Sequence, residues 1–187
     1  MENKVSIGIS NRHIHLTKKV YDLLFDDDYS IIKYLSEPGE YVTDKVITLK
    51  TEFYEIENVK VLGPFRDYTQ VEISRSDAIK FKINPPVRKS GDLIDAENIT
   101  LKTCKNEVSL NSAIIAQRHI HISKEDALKN NIKDGQSVLV KVGKEKIGYI
   151  ECFYKVKDKA YYELHLDTDD ACAFLLNQGD DGVIIDD

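Results

Sequence analysis

Four of the chain's five histidines fall in two copies of one tetrapeptide, Arg12-His13-Ile14-His15 and Arg118-His119-Ile120-His121. Each copy continues with an apolar residue, a hydroxyl residue and a lysine, as Leu16-Thr17-Lys18 and Ile122-Ser123-Lys124. On an extended strand, residues two apart point to the same face, so each copy sets two imidazoles side by side and turns its isoleucine the other way. Neutral imidazole is the commonest nitrogen ligand for metals, and three protein ligands with one open position characterise catalytic rather than structural zinc. His165, in Leu164-His165-Leu166-Asp167, alternates with apolar residues in the same manner and adds a further donor. Four paired histidines and a fifth point to two metals. A single His-x-His is commonly a half-exposed pair on a strand; its recurrence far along the chain, each time before a helix start, is what moves the reading to metal binding.

These residues need strands to hold them. Runs such as Val46–Lys50, Tyr68–Ile73, Ser137–Val142 and Ala160–Leu166 are rich in β-branched and aromatic residues and read as strands. Short helices come between them, with Thr17 capping Lys18–Leu24, Ser123 capping Lys124–Leu128, Ser74 or Ser76 capping the stretch to Phe81, and Asp167 or Thr168 capping Asp169–Asn177. Regularly spaced strands with a few short helices suggest a mainly β fold of small closed barrels, and the repeated motif suggests two similar halves. The segment Asn84-Pro85-Pro86-Val87-Arg88-Lys89-Ser90-Gly91-Asp92 reads as a basic loop.

With 187 residues the chain can bury a core, and a formal charge of −6 argues against nucleic acid or an anionic membrane as partner. An anionic substrate must meet a local basic patch. No run approaches the length of a membrane span, and Met1-Glu2-Asn3-Lys4 leads straight into Val5-Ser6-Ile7-Gly8-Ile9, so a cytoplasmic protein is expected. Cys104, Cys152 and Cys172 are widely spaced and form no Cys-x-x-Cys, which supports neither a disulfide framework nor a zinc knuckle; each is expected to be a small buried or half-buried residue.

In Gly63-Pro64-Phe65-Arg66-Asp67-Tyr68-Thr69-Gln70-Val71-Glu72 the Gly-Pro pair marks a turn, and parity puts Gln70 and Glu72 on one strand face. On parity alone Glu72 is a surface carboxylate. Together, Ser10–Leu16, Gly63–Arg66 with Thr69–Glu72, Gln117–His121 and His165–Asp169 resemble the phosphate propanoyltransferases of the PduL type, a phosphotransacylase family, in motif order over nearly the whole chain.

That resemblance implies two β-barrels with short helical caps, one of residues 12–116 and one of residues 117–187, the latter completed by the crossing-over first strand, residues 4–10. It implies reversible transfer of a short acyl group, propanoyl or acetyl, between coenzyme A and phosphate, with acyl phosphate as the other product. It also implies two zinc ions, one held by His13, His15 and Glu72, the other by His119, His121 and His165, where another divalent ion would also fit. Arg66 matches the phosphate-binding, catalytic arginine, and Ile9, Ser10, Asn11, Lys60 and Cys172 match coenzyme A contacts, with Cys172 standing where the family usually has asparagine. Packaged members tend to carry an N-terminal extension, so free cytoplasm is favoured over a bacterial microcompartment; a homo-oligomer is left open.

The chemistry agrees with the resemblance. Phosphate attacking a thioester brings an anion toward a carbonyl that becomes an oxyanion, so cations are needed for orientation and for charge stabilisation. Two metals and a planar guanidinium would supply them. The motifs place no cysteine or serine in a nucleophile–base pair, which favours direct attack without an acyl-enzyme. A dinuclear-metal hydrolase or a metal-binding module are the alternatives, and a phosphate cradle around Arg66 and Lys60 distinguishes the transferase from them.

Overall fold

A computed structural model describes residues 4–185. In chain order its elements begin with β1 (Lys4–Ser10), β2 (His13–His15), α1 (Lys18–Leu24), β3 (Ile31–Tyr34), β4 (Tyr41–Lys50), β5 (Glu55–Gly63) and β6 (Gln70–Glu72). There follow α2 (Arg75–Phe81), β7 (Val87–Arg88), β8 (Glu97–Lys102), β9 (Glu107–Ala116), β10 (His119–Ser123) and α3 (Lys124–Lys129). The chain ends with β11 (Ser137–Val142), β12 (Gly148–Lys157), β13 (Glu163–Asp167), α4 (Thr168–Phe174) and β14 (Asp181–Ile185). It divides into a central unit, residues 12–116, and a split unit that joins the N-terminal segment through residue 11 to the C-terminal part from residue 117.

The split unit is a closed barrel of order β1-β13-β10-β12-β11-β14. In it β10 runs parallel to β12 and antiparallel to β13, while β1 runs parallel to β13 and antiparallel to β14. The central unit repeats that pattern strand for strand. There β2 is parallel to β5 and antiparallel to β6, β9 is parallel to β6 and antiparallel to β8, and β4 closes the ring between β8 and β5. β3 and β7 are additions to this ring, on β4 and β9. The chain is thus mainly β with two closed six-stranded barrels. β1 pairs in the split unit although β2, which follows it, pairs in the central one.

Burial follows the period-two pattern. Ile14, Val71 and Leu16 are wholly buried in the central core, and Ile120, Ile122 and Leu164 in that of the split unit. The isoleucine inside each His-Ile-His is therefore a core anchor that turns both flanking imidazoles to the opposite face. Filling each core this way is what fixes register, because a slip of one residue would put histidines into the apolar interior.

Among the described residues, all four helices start at side-chain caps. Thr17, Ser74 and Ser123 hydroxyls accept from the backbone N–H of Val20, Asp77 and Asp126, and an Asp167 oxygen accepts from Asp170 at 2.8 Å. Each such cap contributes about 1 kcal/mol to a helix too short to stand alone. The last helix stops at Phe174 and not at Asn177, because Leu175 takes the left-handed conformation and ends the turn. β6 is also shorter than the run Tyr68–Ile73, since Tyr68 leaves the ladder to meet Arg66; β13 begins at Glu163 and not at Ala160. Within the loop Asn84–Asp92, Val87–Arg88 pair with β9. Cys152 is buried, whereas Cys104 and Cys172 are exposed, Cys104 because it sits in the turn closed between Thr103 and Asn106.

Candidate metal centres

In the central unit, antiparallel pairing sets His13 opposite Glu72 and His15 opposite Gln70. His13, His15 and Glu72 each offer a ligand atom within 4.8 Å of the others. The two rings lie edge to face with centroids 5.0 Å apart, and His13 Nε2 is 3.5 Å from Glu72 Oε2. Bonds of about 2.0–2.1 Å at tetrahedral angles separate ligand atoms by roughly 3.3 Å, so this spacing suits one shared zinc ion. The other carboxylate oxygen, Oε1, accepts a 2.6 Å hydrogen bond from the Gln70 amide. Gln70 is itself fully buried and oriented, because its carbonyl oxygen accepts from the Gly91 backbone N–H at 2.7 Å. Partners of this kind hold a ligand in one rotamer before any ion arrives.

The split unit carries the second set. His119 lies opposite His165 in the β10–β13 ladder, and His119, His121 and His165 bring ligand atoms within the same 4.8 Å limit. His119 Nε2 and His121 Nε2 are 3.1 Å apart. His119 donates its Nδ1–H to the Gln117 carbonyl at 2.7 Å, which leaves Nε2 with the lone pair. His165 donates its Nε2–H to Glu163 at 2.8 Å, which leaves Nδ1. Burial, reinforced by His119 and His165 alongside, holds the pKa of His121 far below that of an ordinary imidazole, so it stays neutral and able to ligate. Three imidazole nitrogens in one cluster fit a divalent cation of intermediate softness such as zinc.

Arg66 is positioned from the residue that follows the first set's strand, its backbone N–H donating to the carbonyl of Leu16 at 2.9 Å. Its guanidinium donates to Tyr68 Oη at 2.9 Å, to Ser90 Oγ at 2.8 Å and to Glu40 Oε1 at 3.0 Å. Ser90 Oγ also accepts from Gln70 Nε2 at 3.2 Å. A continuous chain therefore runs from Glu40 through Arg66, Ser90 and Gln70 to the carboxylate of Glu72.

A family model described as phosphate propanoyltransferase matches residues 6–177. The chain belongs to the phosphate propanoyltransferase family. Relatives bearing that name include a Thermotoga maritima protein, 39% identical with 96% of this chain and 88% of the relative aligned, and one from Alkaliphilus metalliredigens, 41% identical with 97% and 88% aligned. A Citrobacter rodentium phosphate propanoyltransferase is 41% identical over 92% of this chain and 84% of its own.

Within this phosphate propanoyltransferase fold the remaining residues singled out in the sequence fall in two places. Lys60 is exposed on β5 directly across from His13 in the parallel β2–β5 ladder. Ile9 and Ser10 end β1, Asn11 follows it, and Cys172 is exposed on α4, which packs on β1. The backbone N–H of Ile9 donates to Gln178 at 2.7 Å. Glu163, Ser90 and Glu40, which hydrogen-bond to His165 and Arg66, are not announced by the motifs. Glu163 has a sequence signal, since it stands two residues before His165 and so shares its face. Ser90 and Glu40 have none beyond lying in turn-rich loops.

Proposed function

We propose that this phosphate acyltransferase transfers a short acyl group reversibly between coenzyme A and phosphate with one zinc ion held by each histidine set. Membership of the family supports acyl transfer, and the wiring of Arg66 to a metal-binding set is the observation that carries the rest. Bound zinc would supply Lewis-acid charge for an oxyanion and a thiophilic site for the departing sulfur.

The chain's own residues do the positioning. His13, His15 and Glu72 converge with Gln70 holding the carboxylate still, and His119, His121 and His165 converge with Gln117 and Glu163 fixing two of the three rings. Arg66 offers a planar fork for phosphate oxygens, already oriented by Tyr68 and Ser90. Glu40 occupies one arm of that fork and must yield when a phosphate dianion enters. A phosphate oxygen attacks the thioester carbonyl, the new C–O bond forms, the C–S bond breaks, and the coenzyme leaves as thiolate, so no protein nucleophile is required. Cys152 is unsuited to that role in any case, because burial pushes its thiol pKa up to about 12. Ile9, Ser10, Asn11, Lys60 and Cys172 are the proposed coenzyme A contacts.

The test is thiol release from acetyl- and propanoyl-coenzyme A with and without phosphate. Phosphate-dependent release with stoichiometric acyl phosphate is the expected result. Release at the same rate without phosphate would mean hydrolysis, and the reading would be wrong.

A further inference from the structure

The arginine that opens each tetrapeptide does not belong to either ligand set, yet it is engaged in the same way both times. In the central unit Arg12 donates from Nε to Asp77 Oδ2 at 2.6 Å and from Nη2 to Asp77 Oδ1 at 3.0 Å. In the split unit Arg118 donates from Nε to Asp170 Oδ2 at 2.8 Å and from Nη2 to Asp170 Oδ1 at 2.6 Å. The atoms correspond one for one.

The aspartates correspond as well. Glu72 is followed by one core residue, the cap Ser74, and then Asp77 in the third position of α2; His165 is followed by one core residue, the cap Asp167, and then Asp170 in the third position of α4. In both units the arginine immediately precedes the first ligand histidine. That histidine lies directly opposite the third ligand, as His13 opposite Glu72 and His119 opposite His165. Each fork therefore ties the entry of one ligand strand to the helix that grows from the other. A bidentate guanidinium–carboxylate pair is directional, and Asp77 is almost wholly buried, so the tie resists both splaying and sliding of the two strands.

We propose that these two arginine–aspartate forks are positioning devices, one for each metal set, which hold the opposed ligands at metal-binding separation. They set the affinity of their own set and leave the other unaffected. The proposal rests on the metal-binding reading, and the experiment separates the two. Its control is the unaltered protein, which must bind two Zn2+ per chain; binding of none would remove the metal reading itself.

Zinc affinity is then read by competition with a chromophoric chelator in two backgrounds, His119→Ala, which keeps the His13 set, and His13→Ala, which keeps the His119 set. Arg12→Lys, which retains charge but loses the fork, is expected to weaken zinc binding by roughly ten- to a hundredfold in the first background and less than twofold in the second, as loss of an outer-shell partner does. Arg118→Lys is expected to show the reverse. Asp77→Asn and Asp170→Asn, which keep shape and one acceptor oxygen, provide a second pair should a lysine variant fold poorly. Unchanged zinc affinity in a variant's own set, with only a lower melting temperature of the metal-free protein, would show a purely structural tie and overturn the proposal. Equal losses in both backgrounds would overturn it too.

Discussion

Replacing Gly8 with alanine is expected to act on a side chain of a neighbouring strand. Gly8 pairs with His165 in the parallel β1–β13 ladder, and an added Cβ would lie 2.7 Å from Glu163 Oε2, 2.8 Å from its Cδ and 3.2 Å from its Cγ. Ordinary contact begins near 3.4 Å, so the carboxylate must retreat by about 0.7 Å. The flexible end of a side chain can do that without disturbing the barrel, but the 2.8 Å bond from His165 Nε2 opens in the process. A hydrogen bond to a charged group contributes about 1.5–3 kcal/mol. Loss of an outer-shell partner weakens metal binding by about ten- to a hundredfold, which corresponds to about 1.4–2.8 kcal/mol. Both routes lead to about 2 kcal/mol, or roughly thirtyfold in zinc affinity. The assay is chelator competition in the His13→Ala background, where only the three-histidine set reports. In a further Glu163→Ala background there is no carboxylate to displace, and Gly8→Ala is expected to cost less than twofold. Wild-type zinc affinity in Gly8→Ala, or a full thirtyfold loss without the Glu163 side chain, would show that Glu163 does not hold His165 for metal.

Arg66→Lys keeps the charge but loses the planar fork that sets Nη1 on Tyr68 and Ser90 while Nη2 faces the separate acceptor Glu40, and phosphate-dependent turnover is expected to fall about a hundredfold or more with zinc content unchanged, as measured by thiol release and elemental analysis. Glu40→Gln removes the carboxylate that competes for the same fork; a partly exposed ion pair contributes about 0.5–1 kcal/mol, so KM for phosphate is expected to fall roughly two- to fivefold in steady-state assays. Iodoacetamide at neutral pH is expected to label Cys104 and Cys172 but not Cys152, whose thiol pKa is raised to about 12 by burial, and coenzyme A is expected to slow labelling of Cys172 alone. His121 has a folded pKa depressed below its ordinary 6.5, so its contribution to stability is complete above about pH 6.5 and declines as the pH falls, when the unfolded chain takes up a proton that the folded chain refuses. Urea unfolding of metal-free protein is expected to lose about 1.4 kcal/mol per pH unit below that point from this group, and His121→Gln is expected to flatten the slope.

The β-barrel class was legible because strand signals are local. β-branched and aromatic residues in runs such as Ser137–Val142 mark strands, and Thr17, Ser74 and Ser123 mark helix starts with little reference to the rest of the chain. The paired imidazoles are equally local, being a consequence of period two along one strand. Glu72 is different. Its place opposite His13 depends on the pairing of β2 with β6, which is set by a register between segments far apart in sequence, so parity alone gives a surface carboxylate and only the resemblance singles it out. The arginine–aspartate forks are hidden for the same reason, joining Arg12 to Asp77 and Arg118 to Asp170 across long stretches of chain. Glu163 is the exception, within reach of the same two-residue rule that pairs the histidines, and masked by its reading as ordinary strand. Leu175 shows the limit of helix-end signals, since a left-handed leucine ends α4 where glycine or asparagine would have marked the stop.

Phosphate-dependent acyl transfer is expected to need both ligand sets filled. Metal-free protein should be titrated with Zn2+ while thiol release from propanoyl-coenzyme A is followed in the presence of phosphate and bound zinc is measured by elemental analysis. No activity is expected without metal and full activity only as the second equivalent per chain is bound, with His13→Ala and His119→Ala each stopping at one equivalent and lacking turnover. Full phosphate-dependent turnover in metal-free protein, or in either single-set variant, would contradict it.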